Sequence, residues 1–186
     1  MRIISGNYKG KKILLPKDKL TRPLKDLTKE SIFNIVQHSK LLNVKIEKSN
    51  ILDLFSGIGS FGLECLSRGA ANVTFLESYK EVLIILKKNI DNLKQQNYSN
   101  IIEKNIFSKD TLKGLNDKFD IIFMDPPYKE KKITELLNII IKLKLLKNNG
   151  IIIIHRHKKE EDIFPSEFNI MIKKIMVFQK LFLVKF

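Results

Sequence analysis

The chain has 186 residues, 34 Lys and Arg against 20 Asp and Glu, and a single cysteine. That length suffices for one substantial core, one cysteine excludes a disulfide framework, and no apolar run approaches the ~18 residues of a membrane span. The opening Met1-Arg2-Ile3-Ile4-Ser5-Gly6 lacks the apolar region of a signal peptide, so a cytoplasmic protein is expected, and with nothing to suggest a large apolar self-association face a monomer is expected. A net charge of +14 calls for a polyanionic partner, although 30 of the 34 basic residues are Lys, a bias that AT-rich coding also produces. Position says more than the total. Residues 1–48 carry 12 Lys and Arg against 4 Asp and Glu and supply +8 of the +14, which favours a nucleic-acid footprint there.

In chain order, Arg2–Ser5 and Lys12–Leu15 predict two short strands of a hairpin, with Tyr8, Lys9, Lys11 and Lys12 at its turn. One aromatic ring among cations suits base stacking and phosphate contact, and an ordinary solvated turn has the same composition. Pro16 ends the second strand, and Thr21-Arg22-Pro23 precedes a helix running to about His38 on the apolar face Leu27, Ile32, Phe33, Ile35 and Val36. Residues 43–49 read as a polar connection. Arg22, Lys25 and Lys29 join the turn lysines as predicted phosphate contacts. Two units result: a basic N-terminal extension over 1–48 and a catalytic core over 49–186.

From Asn50 the pattern alternates strand and helix, as in a doubly wound, mostly parallel sheet. Strands are expected near 51–55, 73–77, 101–103, 119–124 and 150–155, and helices near 60–68, 80–95 and 131–146. An antiparallel hairpin is expected near 169–177 and 180–186, for seven strands in all. The first strand runs into Gly57-Ile58-Gly59-Ser60-Phe61-Gly62, the G-x-G-x-x-G spacing that lets backbone approach a ligand. Dinucleotide enzymes share it. Asp53, however, stands four residues before the first glycine, where it repels a pyrophosphate and attracts a sulfonium or an amino group. Glu77 closes the second strand and can accept hydrogen bonds from both ribose hydroxyls of an adenosine, though an exposed strand-end acid would look the same.

The strand Phe119–Met124 ends in Asp125-Pro126-Pro127-Tyr128. The Asp oxygen can accept an N–H, a proline carbonyl without a ladder partner can accept another, and the Tyr ring offers a stacking face. The prolines stiffen the turn. Together these make a receptor for a flat ring bearing an exocyclic amine; Pro-Pro alone would mark no more than a turn. Ligands of such sheets bind beyond the carboxyl ends of the strands, where Asp53, Glu77 and Asp125 all fall.

The order of glycine loop, acid after strand two and Asp-Pro-Pro-Tyr after strand four resembles the class I S-adenosylmethionine-dependent methyltransferases. Arg2-Ile3-Ile4-Ser5-Gly6-Asn7-Tyr8-Lys9-Gly10-Lys11-Lys12-Ile13, Arg22-Pro23, Lys29-Glu30-Ser31-Ile32-Phe33-Asn34, Glu64, Leu66-Ser67-Arg68-Gly69-Ala70 and Asn89 are similar to motifs of the bacterial RsmD family. The resemblance implies a Rossmann-like fold and methylation of N2 of a guanine in 16S ribosomal RNA, within small subunits or their assembly intermediates. It also implies S-adenosyl-L-methionine lying on Phe55, Ser56, Gly57 and Gly59, its amino acid end near Asp53, its ribose on Glu77 and its adenine against Asn105 and Ile106. Asp125, Pro126, Pro127 and Tyr128 would then be catalytic. Neither a metal nor a membrane is implied.

Three departures stand out: Asn105-Ile106 follows strand three where many methyltransferases have Asp, Leu24 follows Arg22-Pro23, and strand five ends in His155-Arg156-His157 where the family tends to show an acid. Both imidazoles fall on one strand face, as an RNA-contacting basic edge or as incidental surface histidines. The rival readings are a DNA adenine-N6 or cytosine-N4 methyltransferase, a protein-glutamine methyltransferase, and a non-catalytic RNA-binding assembly factor that has kept the fold.

Overall fold

A computed structural model describes residues 1–16, 24–108, 110–176 and 178–186. The described elements are α1 (Asp26–His38), β1 (Asn50–Leu54), α2 (Ser60–Ser67), β2 (Asn72–Leu76), α3 (Lys80–Asn92), β3 (Ser99–Ile102), β4 (Phe119–Met124), α4 (Ile133–Lys142), β5 (Leu146–His157), β6 (Asn169–Ile175) and β7 (Gln179–Lys185), with one 3₁₀ turn at Gln96–Tyr98. The strands form one sheet in the order β3-β2-β1-β4-β5-β7-β6. The first five pair in parallel, while β7 runs antiparallel to both β5 and β6. The order reverses between β1 and β4, which is where such sheets open a ligand crevice.

Alternation along the strands sorts the core into two layers. Ile51, Val73, Phe75, Ile121, Phe123, Ile151 and Ile153 face α1, α2 and α3. Leu52, Leu54, Ile122, Met124, Ile152 and Ile154 face α4 and the segment around Ile106 and Leu112. Both faces are therefore covered, and the central strands carry apolar residues on both of them. Every residue of α2 is buried. The helix sits so close to the sheet that a Cβ on Gly62 would lie 2.3 Å from the Phe75 ring, which explains the third glycine of the motif.

Helix α4 is shorter than its spacing predicts and β5 begins four residues earlier. Lys144 takes a left-handed φ of 52°, which stops the helix and turns Leu145 and Leu146 into the second layer. The connection over 43–49 reads as polar in sequence, yet Val44, Ile46 and Ser49 are buried. The N-terminal hairpin is reduced to one bridge, Arg2 with Lys12.

That hairpin is fastened to α2 by buried polar groups. The Glu64 carboxylate accepts hydrogen bonds from Ile4 N–H (2.8 Å), Ser5 N–H (2.9 Å) and Arg68 Nε (3.0 Å). Ser67 O accepts Asn7 N–H at 2.8 Å. A Cβ on Gly6 would lie 1.9 Å from that carbonyl, so the contact admits only glycine. In α3, Asn89 Oδ1 accepts Leu14 N–H (2.8 Å) while its Nδ2 donates to Leu14 O and to Ile58 O (3.2 and 3.1 Å). Ile3, Ile13, Ile32 and Phe33 belong to the same apolar cluster as Phe61 and Phe75.

Candidate active site

Three acidic residues meet at one edge of the sheet. Asp53 pairs in register with Phe75 on β2 and Phe123 on β4, and the next pairs, Leu54 with Leu76 and Leu54 with Met124, leave Glu77 and Asp125 immediately beyond the strand ends. Residues up to 72 positions apart are thereby gathered on three neighbouring strands spaced about 4.8 Å apart. Asp53 is 1% exposed, and its Oδ2 accepts Gly62 N–H at 3.0 Å. Burial pushes its carboxyl well above the ordinary value; the Gly62 hydrogen bond opposes this, and the charges of Asp125 and Glu77 push it further up. A positively charged ligand would relieve that repulsion, so the residues fit a sulfonium or ammonium group.

Glu77 shapes the glycine loop. Its Oε2 accepts Gly57 N–H at 2.8 Å, and its Oε1 accepts Ser78 and Tyr79 N–H at 2.8 and 2.9 Å. Ser56 N–H donates to Leu76 O at 3.1 Å, and Gly59 N–H to Ser56 O at 2.8 Å. Phe55 holds a left-handed φ of 59°, unusual for a bulky side chain and typical of residues constrained around a ligand. Its ring lies 6.1 Å from that of Phe107. Asn105 Oδ1 accepts Phe107 N–H at 2.9 Å, so this amide fixes the turn after β3, and Ile106 is 5% exposed and packs into the core. Phe107 went unnoticed in the sequence because no motif flags it.

On the other side of Asp53, the last three residues of β5 all contact the Asp-Pro-Pro-Tyr turn. His155 Nδ1 lies 2.7 Å from Asp125 Oδ1. Arg156 donates to Pro127 O (3.4 Å) and Glu130 O (2.9 Å), and its Nε is bonded to both Asp162 oxygens at 3.1 and 3.0 Å. The His157 and Tyr128 rings are 5.1 Å apart. The expectation of a basic RNA edge or of surface histidines is corrected for two of the three residues: His155 is 3% exposed and Arg156 2%, while His157 is half-buried. His155 is turned onto Asp125 on one face of β5 and Arg156 onto Asp162, Pro127 O and Glu130 O on the other, which takes both out of solvent. Pro127 O also accepts Glu130 N–H at 2.9 Å, whereas Pro126 O has no hydrogen-bond donor among the described residues. Pro126 is buried, and the Tyr128 side of the turn is exposed.

Burial works against the His155 imidazolium; the hydrogen bond and charge of Asp125 outweigh it and raise its pKa above the ordinary value. The Gln179 amide adds a smaller push, but His155 Nε2 has no partner within hydrogen-bonding geometry among the described residues, and Gln179 Oε1 already accepts Thr28 Oγ1 at 3.1 Å.

The predicted RNA contacts separate into three groups. Lys9, Lys11, Lys12 and Lys25 are exposed. Tyr8 is half-buried, its hydroxyl accepting Gln95 Nε2 at 2.6 Å and its ring 5.4 Å from Lys11 Nζ. Lys29 is a correction: it is fully buried, donating to Arg2 O at 2.7 Å, 3.2 Å from Asp26 and 3.9 Å from Glu64. Its place in the 29, 32, 33, 36 stripe of α1 is the sequence signal for that burial. Arg22 lies outside the described residues. The hairpin turn docks at Ser67, the end of the eight-residue α2 away from the glycine loop, and therefore about 7.5 Å along the helix from Gly62, which donates to Asp53.

The family model described as "Conserved hypothetical protein 95" matches residues 1–185. Ribosomal RNA small subunit methyltransferase D of Buchnera aphidicola (from Acyrthosiphon pisum) is 37% identical over 177 residues, covering 93% of this chain and 86% of the relative. The protein of the same name in Haemophilus influenzae is 34% identical, covering 94% and 88%. A solved structure from Escherichia coli superposes with a TM-score of 0.81 at 25% identity, covering 99% of this chain and 96% of that one. With the acids of β1, β2 and β4 at one sheet edge and this likeness along almost its whole length, the chain belongs to the RsmD family of methyltransferases.

Proposed function

We propose that the protein transfers a methyl group from S-adenosyl-L-methionine to the exocyclic N2 of a guanine in 16S ribosomal RNA, in small subunits or their assembly intermediates. The observation that carries this reading is the gathering of Asp53, Glu77 and Asp125 beside a stiff Asp-Pro-Pro-Tyr turn. Relatives named for small-subunit ribosomal RNA methylation support the substrate class. Asp53 would hold the ammonium end of the donor, Glu77 its ribose, and Phe55, Ser56, Gly57 and Gly59 its length, with Asn105, Ile106 and Phe107 around the adenine. Bound there, the donor supplies a methyl group whose bond to a positively charged sulfur breaks, the electron pair returning to sulfur, as the bond to the amine nitrogen forms.

The chain's own residues then do three things. Tyr128 stacks on the guanine once it is turned out of its stack. Asp125 and the Pro126 carbonyl accept the two N–H groups of the amine and point its lone pair along the transfer axis. Asp125 takes the N2 proton as the new N–C bond leaves that nitrogen positively charged. Lys9, Lys11, Lys12 and Lys25 grip phosphates of the same RNA, with Tyr8 beside them. Calorimetry with the donor, followed by transfer of a labelled methyl group to immature small subunits and to duplex DNA, tests the reading. Donor binding with label in the ribosomal RNA alone is expected; label in DNA, or no donor binding, overturns it.

A further inference from the structure

The pairing of β5 with β4 sets a histidine against the residue on which acceptor chemistry depends. Asp125 and His155 lie on the same face of the sheet as Asp53, toward α1 and α2, and Asp125 Oδ1 is 2.7 Å from His155 Nδ1. The imidazole is 3% exposed and walled by Leu181, opposite it in register on β7. The Thr28 hydroxyl of α1 and the Gln179 amide of β7 close the next position. The charged or titratable neighbours are Asp125 beyond β4, Asp53 behind it on β1, His157 on the same strand face and Arg156 on the opposite one. Asp125 Oδ2, in contrast, is engaged by no hydrogen bond of the described residues. A carboxylate with one oxygen pinned and the other open is an acceptor with a fixed direction.

We infer that His155 is the positioning residue of the Asp125 carboxylate: its Nδ1–H holds Oδ1 and leaves Oδ2 to receive the target amine. This rests on the proposed methyl transfer. Without the imidazole the carboxylate is free to turn about its Cα–Cβ and Cβ–Cγ bonds, and a small loss of alignment at the reacting amine is expensive in rate. His155 touches neither donor nor base, so its loss falls on turnover and not on donor affinity. The burial of Nε2 without a partner agrees with a ring committed through Nδ1.

Two variants separate a hydrogen-bonding role from a packing one. In Asn the amide nitrogen stands the same number of bonds from Cα as Nδ1, so H155N can still donate to Oδ1, and H155L cannot. The account predicts that H155L loses about 10–100-fold in kcat with donor KM within about 2-fold of wild type. H155N should recover kcat to within about 3-fold. In wild-type protein with 15N-labelled histidine, the His155 Nδ1 should be protonated throughout the neutral range, and D125N should lower the imidazole pKa. Wild-type kcat in H155L, equal losses in H155N and H155L, or an unprotonated Nδ1 would overturn the inference. The labelled-histidine measurement needs no substrate, so it judges the pair even where H155L fails to fold. Absence of methyl transfer by the wild type would instead count against the functional reading, with the Nδ1 signal still deciding the pair.

Discussion

Asp53 shows most directly what the site costs the fold. Its burial beside two other acids raises its pKa, so the folded protein holds that proton more tightly than the unfolded chain does. Its contribution is therefore greatest at low pH and declines as pH rises above the ordinary carboxylate value. Asp53→Asn keeps an oxygen for Gly62 N–H and removes the charge; at pH 7.5 it should raise Tm by about 2–4 °C, while donor binding weakens about tenfold or more. Lower Tm together with undiminished donor affinity would contradict the role given to this carboxylate. His155 carries the same sign at higher pH. Its folded pKa is raised by Asp125, so its share of stability is complete below about pH 6.5 and is lost as pH rises through the folded value. Urea midpoints between pH 6 and 9 should fall more steeply in wild type than in H155N, which keeps only the Asp53 contribution. The acids were legible in the sequence because strand ends and neighbouring motifs fix them; His155 was not, because only the β4–β5 register, shifted by an irregularity between Phe119 and Ile121, decides which residue it meets.

At the scale of elements, α1 and α2 show how a charged residue can belong to the frame and not to the footprint. Lys29 looks like one more cation in a basic segment, yet the helical stripe it shares with Ile32, Phe33 and Val36 turns it inward onto Arg2 O and Asp26. Lys29→Ala should lower stability by about 1.5–3 kcal/mol in urea denaturation and leave RNA affinity of the folded protein unchanged. Weaker RNA binding at unaltered stability would return Lys29 to the surface role. The RsmD-like residues Gly6, Glu64, Ser67 and Asn89 are read here as the fastenings that join the hairpin to the catalytic layer. Their spacing in sequence announces a family and says nothing of these contacts, since Ile4 and Glu64 meet across 60 positions. Strand and helix periods, which depend on local burial, were readable to within a few residues, apart from the early end of α4 at Lys144.

Across the whole molecule, the acidic cluster and the cationic hairpin turn lie at opposite ends of α2. A substrate that reaches both would span the five residues from Gly62, which donates to Asp53, to Ser67, about 7.5 Å along a helix that is itself buried. Neutralising Lys9, Lys11 and Lys12 together should weaken RNA binding and reduce the slope of log affinity against log salt by ~2, with turnover at saturating RNA retained. An unchanged slope would place the footprint elsewhere. The doubly wound order of the sheet was legible from the strand and helix alternation, but the distance between hairpin and site was not, because it follows from Asn7 N–H of the hairpin donating to Ser67 O at the far end of a buried helix. The account as a whole depends on Asp125 presenting a guanine amine to the donor. Mass spectrometry of nucleosides from 16S ribosomal RNA treated with wild type and with Asp125→Ala tests that directly: N2-methylguanosine should form with wild type and fall at least ~10²-fold in rate with the variant, at nearly unchanged donor affinity. Equal product from the two proteins, or a methyl group on any other position, would contradict it.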